Sequence, residues 1–430
     1  MKPQLNLRIQ KDLEGETLPS GAIVQVRSFE ESGRSRILHR EPVPVSADAS
    51  HHHAVTVDPG RYEVSAILPS GSVVSRVVEV TETDASVDAA LDAGTSPHEW
   101  LSWQQWSGNV GGPRSSWMRE SGAAPAPAPA DIMLARVPAD GSAPREKVWG
   151  ALAARLATLE TSTSIDPASI LPAEAASLAV HKIPDPEYVA VRLPRGFGAG
   201  AERTYLFVTL HGQAMLCAMP WPWMQSDGSG EALVEAVISE QPDSLEGSSW
   251  SVRTTVRDHL FAGLLNYFAV GEQQTARELI EPARELLYDK MENPLAATAG
   301  AYILVGQWID ESARGLMRQD WMDWVKNLSD WFPWIPDGAI LNAWLALRMR
   351  GRDPLLDEAR SALLEAERRG IPIYSAGVRR LIDGLMLVAG EIRRSGGQDP
   401  DVDAALTRAR QLAWQIDPGQ PFTCVRLWSS

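Results

Sequence analysis

Apolar and polar residues alternate through the first 95 residues, which is the period of a strand with one buried face. Leu5, Leu7 and Ile9 show this alternation first, and a turn of aspartate, proline and glycine at residues 58–60 precedes another alternating run. Proline fixes φ and glycine accepts a positive φ, so this tripeptide favours a reversal of the chain. Short strands separated by turns predict a small β-sandwich over residues 1–95.

Residues 96–130 carry two different signals. Trp100 and Trp103 are spaced as on one short helical turn. They would form either an exposed aromatic platform for a partner or a plug that covers the sandwich, and both interpretations stay open. Residues 107–130 are rich in Gly, Ser, Pro and Ala and end in a Pro-Ala alternation, which favours an extended spacer. This segment is predicted to separate two domains.

Residues 131–249 mix the strand period with the helix period. Alternation predicts strands near residues 132–137, 188–193, 204–210 and 214–219. A period of 3.6 residues predicts helices over residues 147–159 and 231–238. The combination predicts a small α+β domain.

From residue 250 to residue 430 apolar residues recur at helical spacing. One stripe contains Trp321, Trp324 and Trp331 and is ended by prolines, and the next contains Trp344 and ends at Gly351. A succession of such helical hairpins predicts a tetratricopeptide-like array. No clean fixed-period repeat is present, so a compact helical bundle is the alternative. The whole chain is therefore predicted to be multidomain α+β.

Composition argues against several classes of protein. The 430-residue chain has a formal net charge of −15, which argues against a general nucleic-acid binder because phosphate contacts need clustered lysine and arginine. No apolar run is long enough for a membrane span, and the amino-terminal sequence lacks an apolar signal segment. Cys217 and Cys424 lie far apart in sequence, so we expect no disulfide framework and a reducing, cytoplasmic location.

Two groups of residues could support catalysis or metal binding. An apolar strand runs into His211 and Gly212, and this entry resembles that of caspase-like cysteine peptidases, with Cys217 as the candidate nucleophile. The wider nucleophile motif of that family is missing, which favours a hairpin turn with a buried structural thiol. His51, together with the next two histidines, forms a consecutive run whose side chains alternate between strand faces, so we expect no metal site and no cofactor.

Four short segments resemble known families. Residues 58–64 (DPGRYEV) resemble a strand entry of transthyretin-like and carboxypeptidase-regulatory-like domains, which implies a binding or spacer module. Residues 335–340 (IPDGAI), 367–374 (ERRGIPIY) and 379–385 (RRLIDGL) resemble helical accessory regions that accompany bacterial caspase-like or trypsin-like peptidases in stress and defence loci. The second resemblance implies a partner or regulatory subunit of a peptidase.

These observations predict a non-enzymatic scaffold with four segments: residues 1–95, 96–130, 131–249 and 250–430. Its binding residues are predicted to be tryptophans, which are enriched in interface hot spots. They are Trp100, Trp103, Trp321, Trp324, Trp331 and Trp344. Two alternatives stay open: a divergent cysteine peptidase that uses His211 and Cys217, and a protein substrate that a partner peptidase cleaves in the spacer at residues 107–130.

Overall fold

The computed structural model divides the chain into two compact units. The first contains Met1–Pro125, Gln225–Leu233 and Thr255–Glu278, and the second contains Ala126–Met224, Val234–Thr254 and Leu279–Ser430. The structure describes residues 2–10, 20–29, 35–46, 52–67, 73–92, 131–138, 145–158, 166–172, 176–178, 181–184, 188–193, 202–210, 212–224, 233–241, 249–257, 287–288, 290–311, 320–348, 354–416 and 420–427. Trp100 and Trp103 lie outside these residues.

The first unit contains one seven-stranded sheet. Its strands are β1 (Gln4–Gln10), β2 (Ser20–Phe29), β3 (Ser35–Ser46), β4 (His53–Thr56), β5 (Gly60–Ile67), β6 (Val73–Val80) and β7 (Ser86–Asp92). The order is β4-β1-β3-β2-β5-β6, and β7 pairs with β1 in parallel. The predicted alternation is confirmed in β1, where Leu5, Leu7 and Ile9 are fully buried. One face of the sheet therefore carries the apolar core.

The second unit contains two smaller sheets. Their strands are β8 (Asp131–Pro138), β9 (Ala176–Leu178), β10 (His181–Pro184), β11 (Tyr188–Arg192), β12 (Glu202–Leu210), β13 (Gln213–Met219), β14 (Leu233–Gln241), β15 (Ser249–Arg257) and β16 (Cys424–Arg426). One sheet has the order β16-β13-β12-β8-β9 and the other β10-β11-β14-β15. Strand β16 comes from the end of the chain and pairs with the hairpin formed by β12 and β13.

The helix predicted over residues 231–238 is wrong, because this stretch belongs to strand β14. Val234, Ala236 and Ile238 are buried in alternation, and Glu235 between them pairs with Arg192 of the neighbouring strand at 2.8 Å. The helical pattern expected from residue 251 onward likewise begins with a strand, β15. Residues 233–238 form a short apolar run that fits either period, and pairing with neighbouring strands decided between them. In β15 the buried residues Trp250, Val252, Thr254 and Val256 follow the strand period.

Seven α-helices lie within the described residues. They are α1 (Lys147–Thr158), α2 (Pro294–Glu311), α3 (Asp320–Trp331), α4 (Pro336–Arg348), α5 (Pro354–Arg369), α6 (Ser375–Arg394) and α7 (Pro400–Ala413). Proline at the first helical position and a capping side chain begin two of them. Asn293 Oδ1 accepts from the Ala296 amide in α2, and Asp399 caps α7. The coarse prediction of an α+β chain with helices toward its end is confirmed.

One hydrophobic cluster in the second unit joins strands and helices that are distant in sequence. Tyr205 and Phe207 of β12 and Leu152 of α1 pack with Val378 of α6 and Leu412 of α7. Residues from both predicted segments, 131–249 and 250–430, therefore contribute to a shared core. The predicted boundary between the two segments stays a prediction.

Cys217 and Cys424 form a disulfide bond, so the expectations of no disulfide and of a buried free thiol at Cys217 are wrong. The two residues are directly opposite each other in the antiparallel pair β13–β16, with their Cα atoms 4.1 Å apart. The sequence did not predict this contact, because the two cysteines are separated by 207 residues. The bond ties the last strand of the chain to the hairpin.

A buried carboxylate holds the amino-terminal end of α4. Asp337 accepts hydrogen bonds from the Tyr302 hydroxyl at 2.8 Å and from the amides of Ile373 and Tyr374 at 2.8 and 3.3 Å. Burial raises the pKa of Asp337, and the three donors act in the opposite direction. The carboxylate thereby connects α2, α4 and the segment that leads into α6.

We expect Tyr302→Phe to destabilise the protein by about 1–2 kcal/mol at neutral pH, because the carboxylate loses one donor. The loss of this donor also raises the folded-state pKa of Asp337 further above its unfolded value. A carboxyl group whose pKa is higher in the folded than in the unfolded protein lowers the free energy of unfolding as pH rises from the unfolded to the folded pKa. The destabilisation by Tyr302→Phe should therefore be smaller in acid than at neutral pH. Urea unfolding of the variant and the wild type at about pH 8 and about pH 4 measures the destabilisation at each pH.

Tyr374→Phe is the matched control for this experiment. Its hydroxyl is equally buried but donates to the uncharged carbonyl of Leu295 at 2.7 Å. Its loss of stability should therefore change little with pH. Equal pH dependence of the two variants would contradict the assigned role of Tyr302.

Gly370 ends α5 in a conformation that favours glycine, with φ at +121°. A Cβ at this position would overlap Arg203 Nη1 and lie 3.1 Å from Glu146 Oε2. Arg203 is buried there because it donates to the carbonyls of Arg369 and Ile371. Arg203 can therefore occupy this position only because Gly370 has no Cβ.

Gly370→Ala should cost about 2–4 kcal/mol, from backbone strain together with overpacking. Gly396 is the control, because its φ is +80° and nothing lies within 4 Å of an added Cβ. Gly396→Ala should cost only about 1 kcal/mol. Chemical denaturation of both variants measures the difference, and equal losses would show that the close approach to Arg203 is unimportant.

Candidate protein-interaction surface

Helix α3 presents its tryptophans on different sides. Trp321 is buried, and Val325 and Leu328 on the same side are fully enclosed. Trp324 is half-buried, whereas Trp331 at the last position of the helix is 53 % exposed. The helix ends there because Pro333 follows two residues later and cannot donate to the helical ladder. The apolar stripe read from the sequence therefore has an inner part and an outer part.

The outer part belongs to a group of residues that we call the aromatic surface: Tyr288, Lys290, Met291, Trp324 and Trp331. The Tyr288 ring meets the Trp324 ring edge to face, with centroids 5.3 Å apart. The Lys290 ammonium lies over two indoles, 5.1 Å from the centroid of Trp331 and 5.9 Å from that of Trp324. These distances are typical of cation–π contacts.

The aromatic surface is both exposed and internally ordered. Tyr288 is 67 % exposed and Met291 is 68 % exposed. Lys290, which lies over the two indoles, is buried, and this desolvation lowers the pKa of its ammonium group. Contacts among the side chains restrict their rotamers before any partner arrives, which reduces the entropy lost on binding. The exposed Tyr288 and Met291 side chains offer apolar area for contact with another molecule.

The remaining predicted tryptophan, Trp344, is almost fully buried in α4. Its indole Nε1 donates to the carbonyl of Arg380 at 2.9 Å. Trp321 and Trp344 thus lie in the interior of the helical region, whereas Trp324 and Trp331 face outward. The sequence did not distinguish the buried from the outward-facing tryptophans, because helical spacing places Trp321, Trp324 and Trp331 near one stripe of α3.

The candidate catalytic pair is not assembled in the described part of the structure. Cys217 is fully buried and bonded to Cys424, so its sulfur is not a thiolate while that bond is intact. His211 lies outside the described residues. Of the histidine run, His52 is exposed and His53 begins β4, and His51 also lies outside. Among the described residues no cluster of three or more acidic, histidine or cysteine side chains could hold a metal.

Three members of the aromatic surface were not predicted from the sequence. Tyr288, Lys290 and Met291 follow the end of one apolar stripe and have no helical spacing of their own. Tyr288 and Lys290 contact α3, more than thirty residues later in the chain, and Met291 is the neighbour of Lys290 in the sequence. Trp414, which is 87 % exposed beyond the end of α7, was likewise not singled out. No described helix combines the length and apolar character needed to cross a membrane.

Comparison with known proteins gives one family match. Residues 263–424 match the model of the Y4kD C-terminal domain. No curated protein matches the sequence. A 9R-lipoxygenase from Cyanothece PCC8801 aligns at 10 % identity over 89 % of this chain, with a TM-score of 0.15. The alignment spans 66 % of the lipoxygenase, and the low TM-score means that it carries no argument about fold or activity.

We expect Trp321→Ala to cost about 3–5 kcal/mol, because it leaves a cavity in the interior. Trp331→Ala should cost no more than about 1 kcal/mol, since mainly the contact with Lys290 is lost. Urea unfolding followed by circular dichroism measures both values. Equal losses would contradict the division of α3 into inner and outer tryptophans.

Proposed function

We propose that the protein is a non-enzymatic interaction subunit that binds a protein partner through the aromatic surface. The observation that supports this proposal is the pair of indoles, Trp324 and Trp331, held on the outside of α3 over one lysine. Tryptophan, tyrosine and methionine are enriched at protein interfaces, where large rigid side chains bury area at low entropic cost. The enclosed ammonium group of Lys290 holds the two indoles in place through cation–π contacts.

The partner that we propose is a bacterial peptidase of a stress or defence system. The proposal rests on the resemblance of residues 335–340, 367–374 and 379–385 to peptidase-associated helical regions. All three segments lie within the stretch that matches the Y4kD C-terminal domain. The buried residues of these segments, including Asp337 and Gly370, support the helices that present the aromatic surface.

In this proposal the helical region is a tetratricopeptide-like array, and the amino-terminal sheet is a transthyretin-like β-sandwich that makes a second contact. Packing of α4 on α5 and of α6 on α7 supports a succession of helical hairpins. The peptidase alternative would require a reduced Cys217, which the disulfide does not provide. The spacer at residues 107–130, where cleavage was considered, lies outside the described residues.

The double variant Trp324→Ala/Trp331→Ala should lose the partner while it remains folded. Removal of two central aromatic contacts typically costs about 2 kcal/mol or more each, which corresponds to at least about a thousandfold weaker binding. The measurement is affinity purification of the tagged chain from its own host, with quantification of the proteins that are recovered at stoichiometric amounts.

Trp414→Ala is the control, because it removes a tryptophan that is more exposed than Trp331 and lies outside the aromatic surface. This variant should retain the partner. Retention of the partner by the double variant would refute the assignment of the surface. Recovery of a stoichiometric partner that is not a peptidase would refute the peptidase part of the proposal but not the interaction surface.

A further inference from the structure

The outward side of α3 carries acidic side chains beside its outer tryptophans. Asp323 and Asp330 are exposed and lie seven residues apart, so they share one face of the helix. Trp324 and Trp331 have the same spacing and form the neighbouring row, about 100° further around the helix axis. A row of carboxylates therefore runs along α3 next to the aromatic surface.

The charge that another molecule can approach at the aromatic surface is mainly negative. Glu292, which follows Met291 in the sequence, is exposed and adds a further carboxylate. Of the neighbouring basic residues, Lys290 is enclosed. Lys326 is exposed but lies about 140° around α3 from Trp331, on the far side of the acidic row. The whole chain is acidic as well, with a formal net charge of −15.

The stability of α3 does not explain why Asp330 is acidic. This residue lies in the last turn of the helix, where the helix dipole favours cations and disfavours an acid. The same turn contains no basic residue. Within the described part of the chain, no hydrogen bond or ion pair involves the carboxylate of Asp330 or that of Glu292. Both carboxylates are therefore available to another molecule.

We propose that the partner contacts the aromatic surface through a basic segment, which carries arginine or lysine beside apolar side chains. This inference rests on the proposed function, because it names the chemistry of the segment that is bound at the same surface. The exposed part of the Trp331 indole would receive a guanidinium or ammonium group in a cation–π contact, the kind of contact that it already makes with Lys290. Asp330 and Glu292 would pair with further basic side chains of the segment.

Aromatic and acidic side chains have different roles in this proposal. The aromatic side chains bury apolar area and supply most of the affinity, as they do in interface hot spots. Each exposed ion pair contributes little and is screened by salt. The carboxylates mainly select the charge of the partner, because they attract a basic segment and repel an acidic one.

Three short synthetic peptides test the inference with the full chain. All contain leucine and glycine at the same positions, and the remaining positions carry arginine, glutamine or glutamate. Isothermal titration calorimetry at low ionic strength should show saturable binding of the arginine peptide. The glutamine peptide should bind at least about tenfold more weakly, and the glutamate peptide more weakly still. Added salt should reduce the difference between the peptides.

Two double variants with the same net charge distinguish a local from a general effect of charge. Glu292→Gln/Asp330→Asn should weaken binding of the arginine peptide about threefold to tenfold. Asp357→Asn/Glu358→Gln removes two exposed carboxylates from the amino-terminal part of α5 and should leave the affinity unchanged. Helix α5 approaches α3 at its opposite end, through Arg369, so these carboxylates are a matched control.

Equal binding of the three peptides, or no saturable binding of the arginine peptide, would overturn the inference without the use of any variant. Equal weakening by the two double variants would also overturn it, because the preference would then come from the overall charge. The proposed function fails on a different result, which is retention of the partner by Trp324→Ala/Trp331→Ala in the affinity purification. The two failures are therefore distinguishable.

Discussion

The chain between α5 and α6 is held by charged side chains from two other elements, and much of the second unit is organised around that contact. Arg203 of β12 donates to the carbonyls of Arg369 and Ile371, and Asp337 of α4 accepts the amides of Ile373 and Tyr374. Backbone groups buried in a connection must find partners, and here side chains supply them. The connection is thereby fixed to the sheet on one side and to the helices on the other.

This contact explains why the aromatic surface has a defined position. Asp337 fixes the start of α4, and Gly338 brings α4 against α3, since a Cβ at Gly338 would lie only 3.1 Å from the Ser329 Cα. Helix α3 can therefore hold Trp321 inside while Trp324 and Trp331 face outward. The interaction that we propose for this surface therefore needs no reorganisation of the backbone.

Buried charge is used in two different ways in the helical region. Glu367 receives hydrogen bonds from the Trp149 indole and from Arg145 and Arg408, so its charge is compensated inside the protein. Arg348, by contrast, has two enclosed terminal nitrogens without an acceptor among the described residues. The first arrangement satisfies the buried group, whereas the second leaves buried donors unsatisfied, which is unfavourable. The difference rests on which hydrogen-bond acceptors lie within reach.

The sequence by itself determined the elements whose period was unambiguous: the alternating strand β1, the strands near residues 132–137, 204–210 and 214–219, and the helix over residues 147–159. Where both periods fit, as in residues 233–238 of β14, the helix prediction was wrong. Only the tertiary structure decided which α3 tryptophans are buried, that Lys290 lies between two of them, and that Cys217 meets Cys424. The physical reason is that period reports which side of an element is apolar, whereas burial, ion pairing and disulfide formation depend on contacts between residues far apart in the chain.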